Sequence, residues 1–136
     1  MSKTILLPIS GGDHTDRTIE YAFDRAGDDD AVVHALSVVD TARYGEPALS
    51  SGEIVVDEVE TEGEKRLAEV AARGAARGVE VATHSCHGRP GDELLAFARD
   101  IGADAVVADR RIPHATRDRL EHLVDAVVTP GRRLEA

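Results

Sequence analysis

The chain carries a single cysteine, Cys86, so no intramolecular disulfide can form, which fits a reducing compartment. It also lacks any apolar run near the roughly 20 residues that a membrane-spanning helix needs. A soluble protein with no membrane partner is therefore expected. The first apolar stretch, Thr4-Ile5-Leu6-Leu7-Pro8-Ile9, has neither a basic leader before it nor a small-residue cleavage site after it. It reads as a strand and not as a secretion signal, and a cytoplasmic location is the expectation. Positive charge is scarce too: 16 basic residues stand against 26 acidic ones, for a net charge of -10. Such a field repels phosphate and argues against nucleic acid as a partner.

What is present is a chain of 136 residues, 42% of them hydrophobic, enough for one domain spanning 1–136 with its own core. Lys3 and Lys65 are the only lysines, and the other basic residues are arginines scattered among acids such as Asp28-Asp29-Asp30. This balance resembles that of halophilic proteins, in which surface acid keeps the molecule hydrated. Most of the acidic runs are accordingly read as solvated faces.

Hydrophobic periodicity alternates along the chain. Thr4 to Ile9 predicts a buried strand ending at Ser10-Gly11-Gly12. From Asp13 the period becomes helical, with Thr18, Ile19, Ala22, Phe23 and Ala26 on one face, and Gly27 is expected to end the helix. Ala31 to Val39 is a second strand, followed by a polar loop through Tyr44, Gly45, Pro47 and Gly52 that serves as a lid or a flexible rim. Glu53 to about Arg77 reads as the longest helix, loosened or ended by Gly63, Gly74 and Gly78. Val79 to Cys86 predicts a third strand, Glu93 to Arg99 a short helix, and Ala103 to Ala108 a fourth strand. Leu120, Leu123, Val124, Val127 and Val128 then fall at helical spacing and predict a last helix stopped by Pro130-Gly131. The alternative makes Asp125 to Thr129 a strand and shortens that helix. Residues 130–136 are expected to be a poorly ordered tail or a short edge strand.

Strand and helix alternating in this way predict an α/β domain: an open, mostly parallel, doubly wound, Rossmann-like sheet of four to five strands with helices on both faces. A ligand crevice in such a sheet lies beyond the carboxyl ends of the strands. Candidate site segments are therefore Ser10 to Asp13, Val39 to Thr41, Cys86 to Arg89 and Asp109 to His114.

Several of these segments together resemble the universal stress protein family. They are Pro8-Ile9-Ser10-Gly11-Gly12-Asp13-His14-Thr15, Leu36-Ser37-Val38-Val39-Asp40, Gly88-Arg89-Pro90-Gly91-Asp92-Glu93-Leu94 and Gly102-Ala103-Asp104-Ala105-Val106-Val107. The resemblance implies a stress-response or signalling protein that is not an enzyme and forms a homodimer. Many members of that family hold ATP through Gly, two residues, Gly, nine residues, then Gly and Ser or Thr, placed after strand four. Glycines let backbone N–H groups approach phosphate, and a helix start adds its positive dipole end. Here that spacing falls on Ala108, Arg111, Glu121 and His122, with no glycine among them. Ser10 replaces the family's nucleoside-contacting aspartate and Gly12 its serine, while Thr15 keeps the last hydroxyl. The expectation is no cofactor, with ATP or AMP disfavoured. The residues the resemblance places at the crevice are Pro8, Ile9, Ser10, Val38, Val39, Arg110, Arg111 and His122.

Two alternatives stand beside this reading. Arg110 and Arg111 are two fixed cations that could pair directly with a nucleotide phosphate or another small anion. Ser10-Gly11-Gly12-Asp13 also comes near the Ser-Gly-Gly-x-Asp-Ser loop of PP-loop adenylating enzymes, but His14 stands where the aspartate belongs. His84-Ser85-Cys86-His87 matches no standard zinc spacing, and no Ser-His-Asp order or nucleophile elbow occurs.

Overall fold

The computed structural model describes residues 3–9, 13–40, 50–108 and 112–129. The order of elements is β1 (Lys3–Pro8), α1 (Asp13–Asp29), β2 (Ala31–Asp40), α2 (Ser50–Ala76), β3 (Val81–Gly88), α3 (Pro90–Asp100), β4 (Ala105–Val107), α4 (His114–Leu123) and β5 (Ala126–Val128). The five strands form one sheet in the order β3-β2-β1-β4-β5, and every neighbouring pair is parallel.

The period-two alternation of the strands divides the core in two. Ile5 and Leu7 of β1, Val33 and Ala35 of β2, and Ala105 and Val107 of β4 pack with Ile19, Ala22, Phe23 and Ala26 of α1 and Leu67 and Val70 of α2. Leu6, Leu36 and Val106 turn the other way, onto Leu94, Leu95 and Ala98 of α3 and Leu120 of α4. Each crossover thus lays its helix on the face its strands expose. The two directions of travel from β1 put α1 and α2 on one side and α3 and α4 on the other.

Several boundaries differ from expectation. Helix α1 runs through Gly27 to Asp29, and the chain turns at Asp30, whose φ of 54° lies in the left-handed region that aspartate tolerates. Helix α2 begins at Ser50, inside the stretch read as loop, and passes Gly63 and Gly74 before Gly78, at φ 74°, ends it. β4 is shorter than the run that announced it.

The largest correction is at the end of the chain. Val127 and Val128 do not continue the last helix. Val124 is already extended at φ -127° and ψ 161°, and β5 pairs Ala126, Val127 and Val128 with Ala105, Val106 and Val107. The helical spacing of Leu120, Leu123, Val124, Val127 and Val128 is real, but the unpaired outer edge of β4 captures the β-branched residues as a strand. The fifth strand is therefore Ala126–Val128 and lies before the tail. Residues 130–136 lie outside the described part.

Asp104 ties this half of the sheet together at its amino edge. Its Oδ2 accepts the Thr4 N–H at 2.8 Å, its own N–H donates to Thr4 O at 2.8 Å, and its carbonyl accepts the Asp125 N–H at 2.9 Å. Replacing Asp104 with Ala would strand the half-buried Thr4 N–H and should lower stability by about 1–2 kcal/mol in urea denaturation. Asp104→Asn, which keeps a carbonyl acceptor, should recover most of that loss.

Candidate functional site

Parallel strands open their carboxyl ends on one edge of the sheet, and the strand order reverses between β1 and β4, so a crevice is expected there. Ile9 sits at that point, half-buried against the α1/α2 core, with its N–H donating to Leu36 O at 2.8 Å. Pro8, the last residue of β1, is half-buried. Val39 is 1% exposed, so a ligand could meet only its backbone. Val38 points to the opposite face and packs with the α3/α4 core. Ser10, Arg110 and Arg111 lie outside the described residues, as do Gly11, Gly12, residues 41–49, on which most of the expected polar loop falls, and Asp109.

His122 does not join this group. β4 and β5 are parallel, so α4 must run back across the sheet, starting at the carboxyl edge with His114 and ending at the amino edge. Only Val124 and Asp125 separate its last residue from β5. His122 therefore lies in the last turn, exposed, its Nδ1–H donating to Asp118 O at 2.8 Å. Glu121 lies beside it and carries no charge to the crevice. The spacing that led to these two residues assumed a longer connection after β4 than this chain has.

Residues that spacing did not single out do reach the carboxyl edge. Arg117, in the first turns of α4, is half-buried and donates to Thr129 Oγ1 just past β5. The starts of α3 and α4 touch: a Cβ on Gly91 would lie 2.8 Å from Thr116 Oγ1. Gly88 closes β3 at φ 147°, a conformation that side chains disfavour, and a Cβ there would meet Glu93 Cγ at 2.9 Å.

Two residues back along β3, Cys86 donates its thiol hydrogen to the Glu93 carboxylate. Burial first, then the charge and hydrogen bond of Glu93, push the thiol's pKa up, which keeps it protonated and a poor nucleophile. His84 shares the Cys86 face, and its partner is His34 on β2. Among the described residues no three His, Cys, Asp or Glu side chains converge to hold a metal ion. Nor is any described helix long and apolar enough to cross a membrane.

An open five-stranded parallel sheet with helices on both faces and a switch point between β1 and β4 defines a doubly wound, Rossmann-type α/β domain. A model of the universal stress protein family matches residues 1–128, and the chain belongs to that family. A universal stress protein of Methanocaldococcus jannaschii is 32% identical over 106 residues, which cover 77% of this chain and 62% of that relative's length. Among solved structures, a universal stress protein from Lactobacillus plantarum superposes with a TM-score of 0.79 at 20% identity, over 93% of this chain and 96% of that one. The Archaeoglobus fulgidus universal stress protein in complex with dAMP has a TM-score of 0.69 at 17% identity, over 95% and 97% of the two chains. At these identities the two structures speak for the fold.

The Gly88 geometry is testable against a glycine elsewhere. Gly88→Ala should cost about 1–3 kcal/mol through its backbone conformation and the Glu93 contact. Gly27→Ala, inside α1 with open space around it, should raise stability by about 0.5–1 kcal/mol. Thermal melts of the two variants should therefore move in opposite directions.

Proposed function

We propose that this universal stress protein acts in stress response or signalling without catalytic turnover, and that it does not hold ATP through the family's glycine loop. The observation that carries the reading is the length of one connection. Only Ala108 to Pro113 stand between the end of β4 at Val107 and the start of α4 at His114, and none of them is glycine. The family's pattern must end where a helix begins, because the helix start supplies the dipole and the hydroxyl. Counted from Ala108 it would end at Glu121 and His122, where α4 is nearly complete. The connection is thus too short for that loop, as well as lacking its glycines. At the helix start itself stands His114, while Thr116 is turned against Gly91.

The reading of no turnover is supported by the state of Cys86, whose thiol is kept protonated by burial and by Glu93. A cytoplasmic homodimer with a small-molecule or anion ligand completes the reading. For pairing, β5 offers an outer edge beside Leu123, a large apolar side chain left 44% exposed.

A second reading draws on the relatives whose structures hold dAMP and cAMP. In it, Arg110 and Arg111 grip a nucleotide phosphate in place of the glycine cradle. Calorimetric titration with ATP and AMP at high salt distinguishes the two. No micromolar binding is expected; micromolar affinity that Arg111→Gly abolishes would establish the second reading. Conversion of ATP to AMP and pyrophosphate would point instead to an adenylating enzyme built on the Ser10-Gly11-Gly12 loop.

A further inference from the structure

His34 and His84 are a pair of half-buried titratable side chains that meet directly and that the proposed function leaves unused. His34 Nδ1 and His84 Nε2 are 3.0 Å apart. The two rings lie nearly parallel, 11° between planes with centroids 5.2 Å apart, and Phe97 of α3 closes over His84 at 4.5 Å and a 58° tilt. The contact joins β2 to β3, the strand at the edge of the sheet, on the face that α3 covers.

We propose that the His34–His84 pair is an acid-sensitive clasp that holds edge strand β3 and helix α3 to the body of the sheet and releases them when both rings are protonated. The proton inventory dictates the behaviour. In the neutral pair one of the two facing nitrogens donates and the other accepts. A first added proton can sit on the far nitrogen of the donor ring, and the bond survives, strengthened by charge. A second proton leaves two N–H donors and two cations facing each other, with no acceptor between them.

The surroundings offer little to offset that charge. Glu80, at the entry to β3, is the carboxylate that acts on His34. Of the other titratable groups on this face, Cys86 of β3 and Glu93 of α3 are engaged with each other, Asp104 is bound to the Thr4 N–H of β1, and Asp40 stands six positions along β2 at its carboxyl end. Leu6 of β1, beside His34, and Phe97 and Ile101 of α3 are apolar. Burial lowers the pKa of both histidines; for His34 the charge of His84 lowers it further, and Glu80 only partly opposes.

The sign follows from linkage. Folded-state values below the ordinary 6.5 mean that the unfolded chain binds more protons as pH falls. The clasp is therefore intact above that value. Its contribution is lost progressively as pH drops through 6.5, until the folded pair is itself protonated.

Two measurements on the full chain test this. NMR titration of the histidine Cε1–H signals should show His34 and His84 titrating in two separated steps below the ordinary histidine value. Hydrogen exchange, corrected for intrinsic rates, should show protection of the bonded β3 amides falling about tenfold relative to β1 between about pH 7.5 and about pH 5. In His34→Gln, which keeps a hydrogen-bonding group but cannot charge, that differential loss should disappear. Two independent titrations at the ordinary value, or an undiminished loss of β3 protection in His34→Gln, would overturn the proposal. If the variant does not fold, the wild-type titration decides alone.

Discussion

Everything in this fold is arranged around a strand that has no solvent-facing side. In β1 the consecutive residues Ile5, Leu6 and Leu7 are 1%, 0% and 0% exposed, and the strand is hydrogen-bonded to β2 on one side and β4 on the other. Burying such side chains stabilises the fold by about 1.5–3 kcal/mol each, and both faces must be covered to obtain it. That requirement sends α1 and α2 to one face and α3 and α4 to the other. The reversal of direction beside β1 sets the topological switch point at the carboxyl edge, so the position where a crevice is expected follows from how the central strand is buried.

Charge follows a different logic. In a chain with net charge -10, arginines are drawn to carboxylates wherever helices lie side by side. Arg73 of α2 binds Glu20 and also Asp16, at 3.3 Å; Arg77 binds Asp24 and also Glu20, at 2.8 Å, with its guanidinium 5.7 Å from the Phe23 ring centroid. Asp16, Glu20 and Asp24 recur every four residues along α1, and Arg73 and Arg77 keep the same step on α2. Exposed pairs of this kind contribute little individually, but they orient the two helices that cover one face of the sheet.

Much of the fold was legible in the sequence. Alternation of apolar periods placed all four helices and the first four strands, because each buried face needs its own spacing. The candidate site was less so. Ile9 and Val39 follow from strand ends, but His122 was placed by counting through a motif whose loop this chain has shortened. Spacing carries no information about where a helix starts until the helix is seen. His84 and Cys86 were visible on one strand face, yet His34 was not singled out. Its meeting with His84 depends on the β2–β3 register, which no local pattern specifies.

By itself the sequence determined the α/β alternation, the excess of acidic over basic residues, the membership of the central strand in a two-sided core and the absence of glycine from Ala108 to Pro113. These are properties of residue type and local period. Tertiary structure decided that Ala126–Val128 is a strand and not a helix, that α4 begins as early as His114, and that two histidines 50 positions apart share a hydrogen bond. Each of those outcomes turns on which edge or face a segment meets. A short apolar run suits helix and strand equally until the unpaired edge of β4 supplies the partner that selects between them.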